Sequence, residues 1–432
     1  MKKLHRRFFW LLIFLLPVQL GRHFWFEWTQ VLGLAVDYLS PTLYLTDLLV
    51  IAILLTWWWQ EKIRDKRYEI RDKIQKNWVV GAIFIFLLVN SFLAVNRGAA
   101  FYKLIKVLEF TLLGFYIAKS NYTLYAIRYP LSLAVVYSSL IAIFQFVKQA
   151  SLGGIFWWLG ERNFNIITPG IAKAIINGRL VLRPYATFPH PNVLAGFFLV
   201  AIILLLGNFK LTNQLINKLK KNWSIGIYWI LVFILALIGL VLSFSRATWL
   251  IGLLVGFGLV TRSWWGKKRR VAGLIFLLVL IGVFYYRFAL PLSGQETLTQ
   301  RFSLAQIAIE MIKASPLAGV GLNNFIPRLP DYWQQFGMTY WLQPVHNVFL
   351  LIAAETGLVG LIIFLWLLIL TYRRLLRKLF IMPAVRDSFG MHYSLFISLT
   401  VILLLGLFDH YWLTLQQTQL LLTIIFGLSW RR

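Results

Sequence analysis

The chain has 432 residues, of which 59% are hydrophobic and 13% are charged. Soluble globular domains carry about 25% charged residues, so this composition excludes an ordinary cytosolic enzyme and a disordered protein. The sequence has no cysteine, which excludes disulfide bonds, thiol nucleophiles and cysteine-ligated metal sites. The formal net charge of +28 would suggest a nucleic-acid partner in a soluble protein, so the position of the basic residues decides its meaning.

Twelve apolar segments predict membrane-spanning helices, because a span needs about 20 mostly apolar residues. They lie near residues 8–27, 42–59, 78–95, 100–118, 129–148, 191–208, 223–243, 246–261, 271–290, 347–371, 392–408 and 413–430. The first has the basic start of a signal peptide, but no small-residue cleavage site follows, so we expect an uncleaved helix. The sequence predicts an all-α polytopic membrane protein with about 12 transmembrane helices, forming one integral domain over residues 1–432.

The basic residues alternate between the two sides of the predicted bundle. With the N-terminus in the cytoplasm, about two thirds of the 43 lysines and arginines fall in inner loops and tails, as the positive-inside rule requires. The net charge therefore reflects orientation and not a nucleic-acid partner. Both termini are expected in the cytoplasm and the protein in the plasma (inner) membrane.

Two long segments, 149–190 and 291–346, fall on the predicted outer face. Loops of this length are usually functional. Chemistry is therefore expected at the extracytoplasmic face, with membrane lipids around the bundle.

The first long loop ends in Arg-Pro-Tyr-Ala-Thr-Phe-Pro-His-Pro-Asn, residues 183–192, which leads directly into the sixth predicted span. Prolines on both sides of His190 make the backbone stiff and extended. Asn192 is a favourable N-cap residue for the helix that follows. A rigid re-entry turn, with Arg183 on a lipid phosphate, explains the segment as well as a substrate site does.

Arg246 lies in the short outer turn Ser-Phe-Ser-Arg-Ala-Thr-Trp, residues 243–249. An arginine at a membrane boundary often extends to water past apolar neighbours. This turn leaves little room for that, and an arginine held between packed helices usually has an anionic partner. The pattern favours a functional arginine.

The second long loop contains an amphipathic helix that begins near Arg301. Phe302, Ala305, Ile309 and Ile312 recur at helical spacing, which predicts a helix on the membrane surface or above the bundle. Ser315-Pro316 ends it, and a glycine-rich turn at 319–325 follows. Taken alone, Arg301 is more typical of a solvated face.

His346 and Asn347 close this loop at the entry of the tenth span. A lone histidine there is usually structural, yet imidazole is the usual group that takes a proton from a hydroxyl. Glu355 follows in the same span, where a carboxylate is costly without a partner; it is expected to pair with an arginine or to orient a histidine.

Other polar groups of the spans and outer turns have simpler interpretations. Lys106 and Glu109 are spaced to pair within one helix, and Asp409-His410 is expected to be a cap. The outer loops hold no closely spaced acidic pair and no histidine cluster, so the sequence predicts a metal-free site.

Four of these motifs together resemble the O-antigen ligase and polymerase superfamily: Arg-Pro-Tyr-Ala-Thr-Phe-Pro-His-Pro-Asn, Ser-Phe-Ser-Arg-Ala-Thr-Trp, Ser-Pro-Leu-Ala-Gly-Val-Gly-Leu-Asn-Asn-Phe, and His-Asn-Val-Phe-Leu with Ala-Glu-Thr-Gly-Leu-Val-Gly. The resemblance covers roughly residues 180–365. The motif that usually reads Ser-Arg-Gly in this superfamily is Ser245-Arg246-Ala247 in this chain, so the arginine is present.

The resemblance implies a membrane glycosyltransferase of the GT-C type, without cofactor or metal. Its donor is a glycan on a polyprenyl (undecaprenyl) diphosphate carrier, and its acceptor is a glycan or glycolipid. The family's histidine matches His346, and its arginines match Arg246, Arg301 and Arg183. His190, Asn192, Asn347 and Glu355 are secondary candidates.

Two other functions remain open from the sequence. A transporter or flippase of lipid-linked glycan or another anion also explains buried arginines, although it would need polar residues through the bilayer. A purely structural scaffold is disfavoured by the two long outer loops. The resemblance leaves open whether the enzyme is a ligase or a polymerase.

Overall fold

The computed structural model describes residues 4–64, 78–120, 122–207, 223–264, 282, 295–333, 341–381 and 388–431. Most of these residues are helical. The helices are α1 Leu4–Phe14, α2 Leu45–Arg64, α3 Trp78–Leu93, α4 Arg97–Lys119, α5 Leu124–Lys148, α6 Pro191–Leu206, α7 Trp223–Leu242, α8 Arg246–Trp264, α9 Gln295–Ala314, α10 Phe325–Arg328, α11 Val348–Ile381, α12 Ser388–Gly406, α13 Tyr411–Thr414 and α14 Gln416–Ser429.

The connecting segments also contain short strands, which the sequence did not predict. The strands are β1 Gly21–His23, β2 Gln30–Val31, β3 Leu34–Ala35, β4 Thr42–Tyr44, β5 Lys173–Ile176 and β6 Arg179–Leu182. They pair antiparallel as β1–β4, β2–β3 and β5–β6. Asn177 and Gly178 join β5 to β6 with φ values of 48° and 78°, the left-handed turn that suits a two-residue hairpin.

The helices have the length and apolar character of an all-α membrane protein. Within the described residues, three helical stretches are long and apolar enough to span a membrane: Leu124–Lys148, Ser224–Leu242 and Val348–Phe380. Shorter apolar helices cover Leu45–Gln60, Val79–Leu93, Pro191–Leu206, Arg246–Gly258 and Gly390–Gly406. The span predicted at 271–290 lies outside the described residues, apart from residue 282.

The first predicted span is shorter than expected. We predicted a helix over 8–27, but α1 ends at Phe14 and the chain enters β1 at Gly21. Pro17 lacks the N–H that would continue the helix, and Gly21, Arg22 and His23 pair with β4 instead. This prediction was therefore wrong beyond Phe14.

Helix α6 lies at the centre of the bundle. Its residues are apolar on every side and nearly all are buried, as expected for a helix surrounded by others. It packs against α5, α7, α8 and α12 within one large apolar core. The start of α6 therefore lies at one end of the bundle. We call this end the cavity end, because the polar cavity described below lies there.

Helix α9 packs on α11 at the cavity end. Leu304, Ile307 and Met311 are fully buried in a cluster that includes Leu351 of α11. Ala305 and Ile312 of the predicted apolar face pack against this cluster, whereas Phe302 is 65% exposed. The predicted helix is present, and only part of its predicted apolar face meets the bundle.

Helix α11 contains a break at Gly357, where φ is 68°. The segment after α9 fills this break through backbone hydrogen bonds: Val320 N donates to Ala354 O at 2.8 Å, and Leu358 N donates to Pro316 O at 2.8 Å. In an apolar environment each freed backbone group needs such a partner. The glycine-rich loop motif therefore completes a broken helix.

Candidate functional site

A polar cavity of about 430 Å³ lies at the cavity end, between the starts of α6 and α11. Four of the eight predicted site residues line it: His190, Asn192, Arg301 and His346. The other four, Arg183, Arg246, Asn347 and Glu355, do not belong to its wall. Cavity residues come from segments far apart in sequence, so the fold is what assembles them.

Arg183 lies behind this wall and connects three segments. Its Nε donates to Ser243 O at 2.8 Å, and its Nη2 donates to Asn192 Oδ1 at 2.7 Å. Burial lowers the pKa of Arg183 to about 10, and the positive charges of Arg246 and Arg301 act in the same direction. Arg246 and Arg301 are therefore each close enough to Arg183 to act on its charge.

Arg301 on α9 lines the cavity. Its Nη1 donates to Phe408 O at 3.2 Å, in the turn between α12 and α13. This contact leaves most of the guanidinium donors available to an anion in the cavity. Arg246 is the first residue of α8 and is exposed.

The start of α6 is capped by His190 and not by Asn192, contrary to our prediction. His190 Nδ1 accepts a hydrogen bond from Asn192 N at 3.1 Å, with Pro191 in the first helical position. The Asn192 side chain is thereby available for Arg183 and for Asp409 Oδ2, to which Asn192 Nδ2 donates at 3.1 Å.

Asp409 is central to the site, although the sequence pointed only to a cap. It does make one local bond of that kind, because its Oδ1 accepts from His410 N at 2.9 Å. Burial opposes ionisation of the carboxyl, but the charges of His410, His346 and Arg301 outweigh it, and the pKa of Asp409 is lowered. A carboxylate thus lies among the cationic groups of the cavity.

His346 faces His410 across the cavity. Their ring centroids are 5.1 Å apart, at an interplanar angle of 73°. Among the described residues, His346 Nδ1 is buried without a hydrogen-bond partner. Burial lowers the pKa of His346 to about 4, because the raising effect of Asp409 is smaller than the desolvation cost. Near neutral pH the imidazole is uncharged and can accept a proton.

Asn347 and Glu355 have structural contacts. Asn347 Oδ1 accepts from Phe349 N at 2.9 Å and from Leu350 N at 3.0 Å, which caps α11. Glu355 Oε1 accepts from Phe325 N at 3.4 Å in the glycine-rich turn. The structure thus places Glu355 against the loop that fills the break in α11, and not against an arginine or a histidine.

Lys106 carries a buried ion cluster beside the cavity. Its Nζ lies 2.6 Å from Asp47 Oδ2 and 3.1 Å from Glu109 Oε2. The predicted Lys106–Glu109 pair is present, and the structure adds Asp47 from α2. The neighbouring Lys103 donates to Leu413 O.

An apolar groove of about 680 Å³ adjoins the cavity. Residues of α3, α4, α11 and α14 form its walls, among them Phe86, Val107, Ile363, Leu422 and Phe426. Four side chains line both spaces: Lys103, Asn323, Thr414 and Gln419. The polar cavity and the apolar groove are therefore adjacent at these residues.

The sequence comparisons give a family match for part of the chain. Residues 231–365 match the model of a protein family described as O-antigen ligase. The match shows that this part of the chain is similar to that family. It confirms the resemblance predicted from the motifs, and it contains Arg246, Arg301 and His346, whereas Arg183, His190 and Asp409 lie outside it. No curated protein matches the chain.

The fold also creates a cluster that local spacing did not reveal. One potential ligand atom from each of His346, Asp409 and His410 lies within 4.8 Å of the other two. We expected no histidine and acid cluster, because the outer loops hold none in sequence. The cluster forms where the end of the second long loop meets the turn after α12.

Proposed function

We propose that the protein is an inverting glycosyltransferase that moves a glycan from a polyprenyl (undecaprenyl) diphosphate carrier to an acceptor hydroxyl. The acceptor belongs to a glycan or glycolipid, and the reaction takes place at the extracytoplasmic face of the plasma (inner) membrane, with both termini in the cytoplasm. The observation that carries the proposal is the cavity that joins arginines and an uncharged histidine to an apolar groove.

The diphosphate group of the donor matches the cationic side of the cavity. Arginine offers paired N–H donors that fit phosphate oxygens. In the proposed complex, Arg301 binds the diphosphate directly, while Arg183 and Arg246 supply positive charge around it. Their charges stabilise the leaving diphosphate as the bond to the anomeric carbon breaks.

His346 accepts the proton of the acceptor hydroxyl in this mechanism. The acceptor oxygen attacks the anomeric carbon, the new glycosidic bond forms, and the carrier diphosphate leaves with the electron pair of the broken bond. Direct attack inverts the configuration at that carbon. The Nδ1 of His346, which has no hydrogen-bond partner among the described residues, supports this role, and the lowered pKa keeps the imidazole uncharged near neutral pH. These steps use the protein's own side chains and require no metal or cofactor.

Replacement of His346 by alanine tests the mechanism. We expect loss of glycan transfer of at least about 100-fold, because the proton has no acceptor, while insertion and folding persist. Purified protein, lipid-linked donor and acceptor would be assayed by gel analysis of the product. His392→Gln, in α12 at the end of the bundle remote from the cavity, serves as the control. Wild-type transfer by His346→Ala would refute the assigned role.

Transport of a lipid-linked glycan or another anion is the alternative. It would be favoured by movement of substrate across liposomes containing the protein, without formation of a glycosidic bond. The walls of the groove beyond the cavity are mainly apolar, which suits a hydrocarbon chain better than a glycan or an ion.

The glycans of a gene-deletion strain separate the two enzymatic forms of the proposal. Loss of long chains alone would indicate polymerisation. Accumulation of complete chains on their lipid carrier would indicate ligation.

A further inference from the structure

We propose that His346, Asp409 and His410 form a binding site for a transition-metal dication such as Zn²⁺, and that the bound metal blocks glycan transfer. One potential ligand atom from each residue lies within 4.8 Å of the other two. Two imidazole nitrogens and one carboxylate oxygen are a donor set that zinc takes when its fourth position stays open. The inhibition rests on the proposed function, whereas the metal site does not.

The nitrogen atoms needed for such a site are available. Among the described residues, His346 Nδ1 is buried and has no hydrogen-bond partner. His410 Nδ1 lies 2.8 Å from Thr414 Oγ1. When Nδ1 donates to Thr414, the lone pair of His410 is on Nε2. Metal-binding histidines usually hold their second nitrogen in this way.

The carboxylate is also held in place by surrounding groups. Asp409 Oδ1 accepts from His410 N at 2.9 Å, and Oδ2 accepts from Asn192 Nδ2 at 3.1 Å. Each oxygen retains a lone pair beyond these bonds. Hydrogen bonds of this kind orient metal ligands and add to their affinity.

The three potential ligand atoms must move closer together to bind one metal ion. Bonds of about 2.0–2.1 Å in a tetrahedral zinc site place ligand atoms roughly 3.3 Å apart. The observed limit of 4.8 Å is wider than this, so rotation of the side chains has to bring the three atoms together. The adjoining cavity of about 430 Å³ gives an ion access and leaves room for a water molecule as the fourth ligand.

The surrounding charges limit the affinity. Arg301 acts electrostatically on both His346 and Asp409, and a dication has to bind beside this positive group. We therefore expect micromolar binding and not the tight binding of a structural zinc site. Magnesium prefers oxygen ligands and retains its water, so it is not expected to bind to two imidazoles.

The bound metal removes the lone pair that His346 needs to accept a proton. It also adds positive charge where the donor diphosphate is expected. Zinc should therefore lower kcat for glycan transfer without raising KM for the donor. Simple competition with the donor would instead raise KM.

Metal binding is measured first, without any glycan substrate. Protein carrying no histidine tag is purified in detergent, freed of metal with a chelator and titrated with Co²⁺, whose visible absorption reports nitrogen and oxygen ligands. We expect one Co²⁺ per chain, displaced by Zn²⁺ but not by Mg²⁺. Absence of a bound equivalent in wild-type protein would overturn the proposal.

Variants then identify the ligands. Asp409→Asn and His410→Gln should each weaken Co²⁺ binding by at least about 10-fold. His23→Gln is the matched control, because His23 lines the same cavity outside the cluster, and its affinity should equal that of wild type. Unchanged binding in the double variant Asp409→Asn/His410→Gln would contradict the assignment, and the wild-type titration provides a test even if these variants do not fold.

The inhibition is measured in the transfer assay with Zn²⁺ or Mg²⁺. We expect kcat to fall at least about 10-fold at saturating Zn²⁺ and to stay constant with Mg²⁺. Metal binding without inhibition of an active transferase would overturn the blocking role. A protein that binds metal but never transfers glycan would instead contradict the proposed function and leave the metal site intact.

Discussion

Asp409 is a negative charge within a group of cationic and imidazole side chains. It acts electrostatically on His346, His410 and Arg183, and it contacts Asn192 directly. In the proposed mechanism its carboxylate would stabilise the imidazolium formed at His346 and would repel the diphosphate of the donor. We therefore expect the effect on His346 to change kcat and the effect on the diphosphate to change KM.

Asp409→Asn should separate these effects. We expect kcat for glycan transfer to fall by on the order of 10- to 100-fold, because the protonated His346 loses a stabilising charge. KM for the anionic donor should stay constant or fall, because repulsion is removed. Steady-state kinetics measure both. A rise in KM with constant kcat would indicate a purely structural role for Asp409.

The sequence predicted the residue types of this site better than their arrangement. Arg301 and His346 were identified, and both line the cavity. Asp409 was interpreted as a cap because its nearest sequence neighbours supply only a local bond. Its long-range contacts depend on the packing of α12 against α6 and α11, and no local pattern contains that information.

At the scale of the helix, the second long loop is attached to α11 through hydrogen bonds at the break in that helix. Asn90 of α3 adds to this junction: its Nδ2 donates to Ala318 O at 2.6 Å, and its Oδ1 accepts from Leu322 N at 2.8 Å. The hydrogen bonds that α11 lacks are thus replaced by loop and side-chain partners from two other segments.

Gly357→Ala should destabilise this junction. The added methyl group would meet the carbonyl of Leu317, and alanine is strained at φ 68°. We expect a loss of at least about 2 kcal/mol and a lower Tm in detergent. Gly256→Ala in α8 is the matched control, because nothing lies within 4 Å of its added methyl group. Equal Tm values for the two variants would argue against a strained junction.

The sequence identified the loop motif around Gly319 and Gly321, but it did not predict that this loop forms hydrogen bonds with the break in α11. A glycine-rich turn was predicted at 319–325, and a spanning helix was predicted through residues 347–371 without a break. The pattern of apolar residues continues through Gly357, so hydropathy alone does not reveal the interruption. The backbone geometry does, since the loop and Asn90 donate hydrogen bonds to carbonyl groups freed at the break.

Across the whole molecule, described cationic groups lie at both ends of the bundle. The cavity end carries the histidine and arginine site, while Arg374 and Lys378 lie at the opposite end and donate to backbone carbonyls near the end of α14. The orientation that the alternation of basic loops predicted stays a prediction, and many of the predicted inner-loop residues lie outside the described chain. Hydropathy did not predict the hairpins, because their strands span only two to four residues.

Stability should depend on pH through three histidines that line the cavity. Burial lowers the pKa of His190 to about 3, of His346 to about 4 and of His410 to about 3. Unfolded histidines titrate near 6.5, so the unfolded chain binds protons first as the pH falls. The stabilisation is therefore complete above about pH 6.5 and is lost progressively toward pH 3.

Thermal unfolding in detergent tests this dependence. We expect Tm to be lower at pH 5 than at pH 7.5, and His410→Gln to reduce the difference. A Tm that is constant or rises as the pH falls would contradict the proposed contribution of the histidines.

The side chains shared by the cavity and the groove have a practical consequence. Lys103, Asn323, Thr414 and Gln419 border both spaces, so a hydrocarbon tail in one space and an anion in the other meet the same groups. Where the occupant of one space changes the affinity for the occupant of the other, thermodynamic reciprocity makes the effect equal in both directions. A detergent whose tail occupies the groove would then change the measured affinity for an anion in the cavity. The choice of detergent therefore becomes an experimental variable in every affinity measurement on this protein.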